Sequence, residues 1–451
     1  MSEVSLEDIA SLAKRRGFIY QGSEIYGGLA GTWDYGPLGV QLKRNITDLW
    51  WKTFVENRAD MYGIDAAILM NQRVWQASGH VGGFHDPLVE DLKTKKRYRA
   101  DHLLEDAGVE GVTAMSLEQM DAVIKEKGIK SPDGNPLGDI RQFNMMFKTH
   151  VGATEDATSV SYLRPETAQG MFVNFKNVVD SFYPDVPFGL AQIGKAFRNE
   201  ISPRDFIFRV RELEQMEIEY FVHPDNWKEQ FDYWQDQQKQ FLLGLGLPEE
   251  KIHFVDVPAE DRAHYSKHSV DTEFDFPFGQ KELLGLAYRT DHDLNAHQSE
   301  SGKSMEYRPK DGGKPYVPHV IEPTFGLDRT LLAVMSSAYT EDELGGNKRI
   351  YLKLPKHLAP IKAAVSPLLK NKPELVAKAK EVYDMLQKEL GNVTWDDNSN
   401  VGKRYRRSDE IGIPAHITID FQTLEDNTVT VRDRDTAEQT RVSIGELSSA
   451  V

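Results

Sequence analysis

The sequence predicts a multidomain fold of mixed α/β and α+β class. Three observations lead there. The chain has 451 residues, more than one hydrophobic core usually serves. Two alternating apolar and polar runs, 189–199 and 206–222, flank the turn Ile201-Ser-Pro-Arg-Asp205 and read as paired β-strands. Past Gly345-Gly346 a strand at 361–365, a helix at 374–390 stopped by Gly391 and a strand at 415–420 alternate, as in a partly parallel sheet. The predicted division is a large unit, 1–345, and a smaller α/β unit, 346–451.

Along the chain, Ser5 and Asp8 stand at capping-box spacing before Ile9, Leu12 and Ala13, and Gly17 offers a stop, so a short amphipathic helix opens the fold. An aromatic and glycine-rich stretch follows, then a helix at 38–54 carrying Trp50 and Trp51. Between about 80 and 152 the texture changes to a Lys/Arg-rich stretch, a helix at 116–127 and the turn-rich Ser131-Pro-Asp-Gly-Asn-Pro-Leu-Gly138, which reads as an insertion. A helix at 227–243, strands at 281–287 and 317–323, and a helix opening near Gly326 complete the large unit.

Composition narrows the function. With no cysteine there are no disulfides, thiolate zinc sites or cysteine nucleophiles. No run of eighteen apolar residues is present, and the N-terminal helix lacks the basic start and apolar middle of a signal peptide, so a cytoplasmic protein without membrane contact is expected. The formal charge of −16 disfavours a surface uniformly attractive to nucleic acid. Residues 351–451, however, hold 15 Lys plus Arg against 15 Asp plus Glu, so the whole acidic excess lies in the first 350. Within that neutral part, Lys403, Arg404, Arg406 and Arg407 surround Tyr405. The run reads either as a solvated charged loop or as an RNA contact.

The chemistry concentrates on the strand pair. Alternation puts Arg198 and Glu200 on one face, and Arg209, Arg211, Leu213, Gln215, Glu217 and Glu219 on one face of the partner, while Val210, Met216, Ile218 and Tyr220 supply an apolar side. The polar face is either wet or a site. Ile321-Glu-Pro-Thr-Phe-Gly-Leu-Asp-Arg329 puts a carboxylate at a strand end and Gly326 at a helix start, where backbone N–H groups favour anions. Leu163-Arg-Pro-Glu-Thr-Ala-Gln-Gly170 and Lys281-Glu-Leu-Leu-Gly285 add isolated acids.

Phe197-Arg-Asn-Glu200 with its loop and charged return strand resembles motif 2 of the class II aminoacyl-tRNA synthetases. Gly326-Leu-Asp-Arg329 resembles their motif 3, and Trp33-Asp-Tyr-Gly-Pro37 with the following helix resembles motif 1, which forms the dimer interface in that class. Arg164-Pro-Glu-Thr-Ala-Gln-Gly170, Glu214-Gln-Met-Glu-Ile-Glu219 and Tyr98-Arg-Ala-Asp101 narrow the resemblance to glycyl-tRNA synthetases of the homodimeric type, over almost the whole chain.

That resemblance implies an antiparallel catalytic sheet flanked by helices, an inserted subdomain and a C-terminal α/β anticodon-binding domain. It also implies ATP-dependent attachment of glycine to tRNA(Gly) through a glycyl-adenylate. Arg198 and Arg329 would be catalytic. ATP would be held by Arg198, Asn199, Glu200, Phe208, Arg209, Val210, Arg211, Glu212, Leu213, Glu282, Leu283, Gly326, Leu327, Asp328 and Arg329. Glycine would be held by Arg99, Glu166, Leu213, Glu214, Gln215, Met216, Glu217, Glu322, Pro323, Thr324, Phe325 and Gly326. Glu282 and Glu322 would carry Mg2+ through hard oxygens, and residues 403–407 would touch tRNA.

Two positions depart from the family: Leu213 stands where a phenylalanine usually lies under the adenine, and Thr324 where serine is usual. Glycine has no side chain to grip, so the expected pocket clasps its ammonium with carboxylates and crowds out a methyl. Two further readings share the fold: a non-catalytic accessory protein, disfavoured because Arg198, Glu200, Glu282 and Arg329 all stand, and an enzyme that passes its acyl-adenylate to an acceptor other than tRNA, disfavoured by the C-terminal unit.

Overall fold

A computed structural model describes residues 4–112, 115–156 and 159–451. Its centre is a seven-stranded sheet of β1 (Met61–Gly63), β2 (Phe188–Phe197), β3 (Glu212–Val222), β4 (Ile252–Asp256), β5 (His268–Phe276), β6 (Gly279–Thr290) and β7 (His319–Gly326). The order across the sheet is β4-β5-β6-β7-β3-β2-β1, antiparallel throughout except for β1 beside β2.

Strand parity decides what each face does. Met216, Ile218, Tyr220 and Val222 of β3 point into the main core against α1 (Pro37–Trp51), α3 (Trp227–Gly244) and α4 (Leu327–Ala338). Trp50 and Phe325 meet edge to face there, with ring centroids 5.9 Å apart. The opposite face packs Phe188, Leu190 and Phe221 under α2 (Ala168–Phe182) at one end. At the other end it leaves Leu213, Gln215 and Glu217 lining a cleft.

The strand pair is shorter than its sequence pattern implies. The return strand starts at Glu212, not at 206, because Asp205 and Phe206 both adopt left-handed backbone (φ 59° each) and curl 198–211 into a long loop. Arg198, Glu200, Arg209 and Arg211 therefore lie on the loop. Arg211 donates to the Glu200 and Ala30 carbonyls and braces it.

The insertion has its own centre. Strands His85–Glu90, Arg97–Arg99 and Arg141–Asn144 form a small sheet, with helices Ala100–Asp106 and Leu117–Lys127 burying Val89, Leu104, Met120 and Ile124. Ser116 caps the second helix in a capping box with Gln119. At the N-terminus Ser5 and Asp8 form the expected box, and Ile9, Leu12 and Ala13 are buried.

Gly345 and Gly346, both with positive φ (61° and 75°), make the turn of a hairpin between Tyr339–Leu344 and Asn347–Leu352. Its buried Arg349 donates to Asp342 at 2.8 Å on one side and to Asp409 at 3.1 Å on the other. Beyond it come β8 (Ala363–Pro367), α5 (Pro373–Leu390), β9 (Val393–Trp395), α6 (Val401–Glu410), β10 (Ala415–Ile419), β11 (Thr428–Asp433) and β12 (Gln439–Ser443). The order is β9-β8-β10-β11-β12, with β8 parallel to both neighbours, which is the partly parallel sheet expected. Among the described residues no helix is long and apolar enough to cross a membrane.

Candidate active site

Two cavities meet on the polar face of the central sheet. Arg198, Gln215, Glu282, Gly285 and Thr324 line both. The first also contains Glu200, Phe208, Arg209, Val210, Leu213, Glu214, Leu283, Gly326, Asp328 and Arg329. The second contains Glu166, Glu217, Tyr265, Asp271 and Glu322.

Three arginines, Arg198, Arg209 and Arg329, line the first cavity together with Glu200, Glu214, Glu282 and Asp328. Arg329, on the first turn of α4, lies over the Phe208 ring at 4.3 Å and its Nη1 donates to a Glu282 carboxylate oxygen at 2.9 Å. That pairing holds Glu282 below the usual carboxylate range even though burial works against its ionisation. Arg198 is aimed by its Nε donating to the Pro165 carbonyl at 3.0 Å. Glu200 is buried beside the cavity, and among the described residues its Oε2 has no hydrogen-bond partner, which suits it to accept from a ligand's N–H. Asp328 accepts from the Glu214 backbone N–H at 2.8 Å and from the Tyr35 hydroxyl, tying the helix start to β3.

The second cavity is a nest of acids. The loop before α2 is anchored by buried Arg164, which donates to the Lys195 and Ala66 carbonyls at 2.6 and 2.8 Å and crosses Gly194 so closely that an added Cβ would lie 2.2 Å from its Nη2. That loop delivers Glu166 and Thr167. Glu217 accepts from Thr167, from Gln215 at 3.2 Å and from Thr324 at 3.0 Å. Burial first, then the charge of Glu166, push the Glu217 carboxyl up. For Glu166 burial acts upward, but His80 at 3.5 Å and Arg289 overcome it and hold the carboxyl low.

The buried counter-cation is Arg289, which the sequence reading passed over. It donates to Asp293 at 2.7 and 2.9 Å and to Glu322 at 2.6 Å, and stacks 3.6 Å from the Tyr265 ring centroid. Two signals point to it. It follows Gly285 and Ala287 on one face of β6, where small residues leave room for a long side chain, and acids on neighbouring strands demand a cation. Glu219 adds another acid, fully buried, with neither carboxylate oxygen partnered among the described residues; burial and then the charge of Glu322 push it well above its ordinary value. Glu166, Glu217, Glu219, Glu322 and Asp293 thus surround one guanidinium.

Several expected site residues lie elsewhere. Met216, Phe325 and Leu327 belong to the apolar core because strand parity and the inner side of α4 turn them away from the cleft. Asn199 donates its backbone N–H to the Met145 carbonyl, Arg211 braces the loop, Glu212 pairs with Lys195, and Pro323 is a buried residue of β7; none of the four lines either cavity. Arg99 does not reach the acid nest. It pairs with Asp86 at 2.9 Å and Asp101 at 2.5 Å, near Glu200 and Arg209 at the other end.

Glu322 is placed wrongly for a magnesium ligand, since its carboxylate is taken by Arg289 inside the acid nest and burial pushes its carboxyl well up. Among the described residues no group of three or more His, Cys, Asp and Glu is arranged to hold a metal. Glu282 with Asp271, raised to about 7 by burial and then by the Glu282 charge, is a pair of close acids that fits a divalent cation shared with a ligand's oxygens.

The 403–407 run forms the middle of α6, whose periodicity scatters it around the helix. Arg404 points inward, 2% exposed, donating to the Pro367, Asp397 and Ser399 carbonyls. Arg407 grips Asp396, Arg406 donates to the Lys348 carbonyl, and the Tyr405 hydroxyl meets Thr418. Lys403 alone of the five is exposed. The run is therefore mainly a scaffold, not a cationic patch.

Residues 147–338 match the model of the tRNA synthetase class II core domain (G, H, P, S and T), and residues 362–451 that of the anticodon binding domain. A solved prolyl-tRNA synthetase from Giardia lamblia, in complex with prolyl-adenylate, shares the fold with a TM-score of 0.66 at 16% identity, over 98% of this chain and 77% of its own. The chain is 52% identical to glycine–tRNA ligase of Clostridium acetobutylicum over 99% of its length and 97% of that protein. It is 50% identical to the enzyme of Geobacillus kaustophilus, over 99% and 98%. Identity of this extent, spanning both the acid-lined cleft and the C-terminal module, shows that the chain belongs to the glycine–tRNA ligase family of class II synthetases.

Proposed function

We propose that this cleft joins glycine to ATP and passes the glycyl group to tRNA, with the roles divided between its two cavities. The observation that carries the reading is the place of Arg198, on the wall that the cation-lined and acid-lined cavities share. A ligand spanning that wall has a phosphate on one side and an ammonium on the other.

Glycine enters with its ammonium among Glu166, Glu217 and Glu322 and its carboxylate toward Arg198. The carboxylate is already ionised near neutral pH, so the first step needs no general base. A carboxylate oxygen attacks the α-phosphorus of ATP, the bond to the β-phosphate oxygen breaks, and pyrophosphate leaves with those electrons. Arg198 offsets the charge on the α-phosphate while holding the nucleophile in line. The adenine amino group donates to the orphaned Glu200 Oε2, and Arg329, held over Phe208 on one face, stacks on the base with the other. Glu282 and Asp271 would hold Mg2+, which supplies further neutralisation of the polyphosphate.

The domains divide the work, with 1–345 catalytic and 346–451 binding the anticodon. Ile25 and Tyr26, 88% and 87% exposed beside the segment that resembles motif 1, supply an apolar surface for a homodimer. The setting is the cytoplasm, where tRNA is charged. The test of the reading is Arg198→Ala: ATP–pyrophosphate exchange with glycine falls by about 100- to 1000-fold while the melting temperature stays unchanged. Retained exchange overturns it.

A further inference from the structure

Glu166 reaches the acid nest from the loop before α2, and a chain of two further side chains governs how it is held. Gln169, fully buried on the first turn of α2, donates its amide nitrogen to Glu166 Oε1 at 2.9 Å and to Asp293 Oδ1 at 3.0 Å. Both amide hydrogens are thereby used. Its carbonyl oxygen lies 2.8 Å from His297 Nε2, so the proton of that contact must come from the imidazole. His297 is buried, on the helix His292–Ser301, and burial keeps its ring neutral.

An amide has two orientations, and only one suits this site. Turned over, Gln169 would present its carbonyl oxygen to two carboxylates. The Nε2–H of His297 is the donor that rewards the working orientation. The bridge matters because Glu166 and Asp293 are like charges. Asp293 is fixed by the two bonds from Arg289, whereas Glu166 stands 3.9 Å from that guanidinium; His80 meets its Oε2 at 3.5 Å, and the shared amide ties its Oε1 to the Asp293 side.

We infer that His297 is a positioning residue for amino-acid recognition: by orienting the Gln169 amide it fixes the Glu166 carboxylate where the substrate ammonium binds. The inference rests on the proposed placing of glycine among Glu166, Glu217 and Glu322. His297 touches neither substrate nor the reacting atoms.

The test is pyrophosphate exchange with the full-length enzyme, titrating glycine and ATP separately. His297→Leu raises the KM for glycine about tenfold, the cost of one buried unsatisfied acceptor, with the KM for ATP changed less than about twofold. His297→Gln, whose amide reaches the position of Nε2 with an N–H, recovers most of the glycine KM. His297→Asn, too short, does not. Matched losses in both KM values, or equal behaviour of the Gln and Asn variants, would overturn the positioning role, as would an unchanged glycine KM in a His297→Leu enzyme of unaltered melting temperature. Glu166→Gln separates the two levels. If it leaves the glycine KM unchanged, the pocket assignment itself fails; if it raises the KM while the His297 variants do not, only the relay fails.

Discussion

The Arg329 guanidinium lies over the Phe208 ring, 4.3 Å from its centroid, with Nε 3.3 Å from the Phe208 carbonyl oxygen. Phe276 and Phe278 brace that ring edge to face at 5.2 Å each. The arginine therefore waits on an aromatic shelf in the cavity that Leu213 also lines.

Phe208→Leu removes a cation–π contact of about 0.5–1 kcal/mol and a rigid support. The KM for ATP rises about two- to fivefold, with a smaller change for glycine. Leu213→Phe lowers it by restoring a stacking surface. In the unaltered chain, calorimetry gives an ATP dissociation constant above the micromolar level; a clearly submicromolar value contradicts the weakened adenine contact.

Thr324 is one of three donors to Glu217. Thr324→Ala costs about 1 kcal/mol, a rise of roughly fivefold in the glycine KM, measured by pyrophosphate exchange. Thr324→Ser keeps the hydroxyl and stays within about twofold. Identical constants for the two variants would rule out the hydrogen bond as the reason for the hydroxyl.

Glu219 sits among Glu322, Glu217, Asp293 and Arg289 with no donor to either oxygen among the described residues, and its acid form is favoured in the fold. A carboxyl whose folded pKa is raised contributes stability below its unfolded pKa, about 4.3, and loses it as pH climbs toward the folded value. Glu219→Gln cannot ionise and escapes that loss. The melting temperature of the variant relative to the parent therefore increases from pH 5 to pH 8. A difference that is flat or shrinks over this range contradicts a resident proton on Glu219.

In the C-terminal module, Arg404→Ala strands several buried carbonyl acceptors and costs about 2–3 kcal/mol of stability, read by thermal or urea unfolding. Lys403→Ala leaves unfolding unchanged and weakens tRNA charging while sparing pyrophosphate exchange. Equal loss of both activities in the Lys403 variant removes it from the RNA contact.

What was legible in the sequence follows from where periodicity speaks. Parity along β3 correctly separated Met216, Ile218 and Tyr220 from Gln215 and Glu217, because a strand with one packed face has no other way to arrange them. The same alternation misled at 206–211, where left-handed turns at Asp205 and Phe206 break the strand although neither residue is glycine. Arg289 was missed because Glu322 comes from another strand, and because the four-residue spacing to Asp293 spans a strand end and a helix start, where neither period applies. The Arg404 run looked like a patch because a linear cluster of cations shows neither the helix phase nor the carbonyls that fold back onto it.

The central claim is that the acid nest selects a small ammonium-bearing substrate for activation by ATP. Pyrophosphate exchange with purified enzyme, run with each of the twenty amino acids and repeated with tRNA, tests it most directly. The account predicts exchange with glycine alone and no ready formation of alanyl-adenylate. Comparable exchange with alanine or any larger amino acid, or none with glycine, would contradict it.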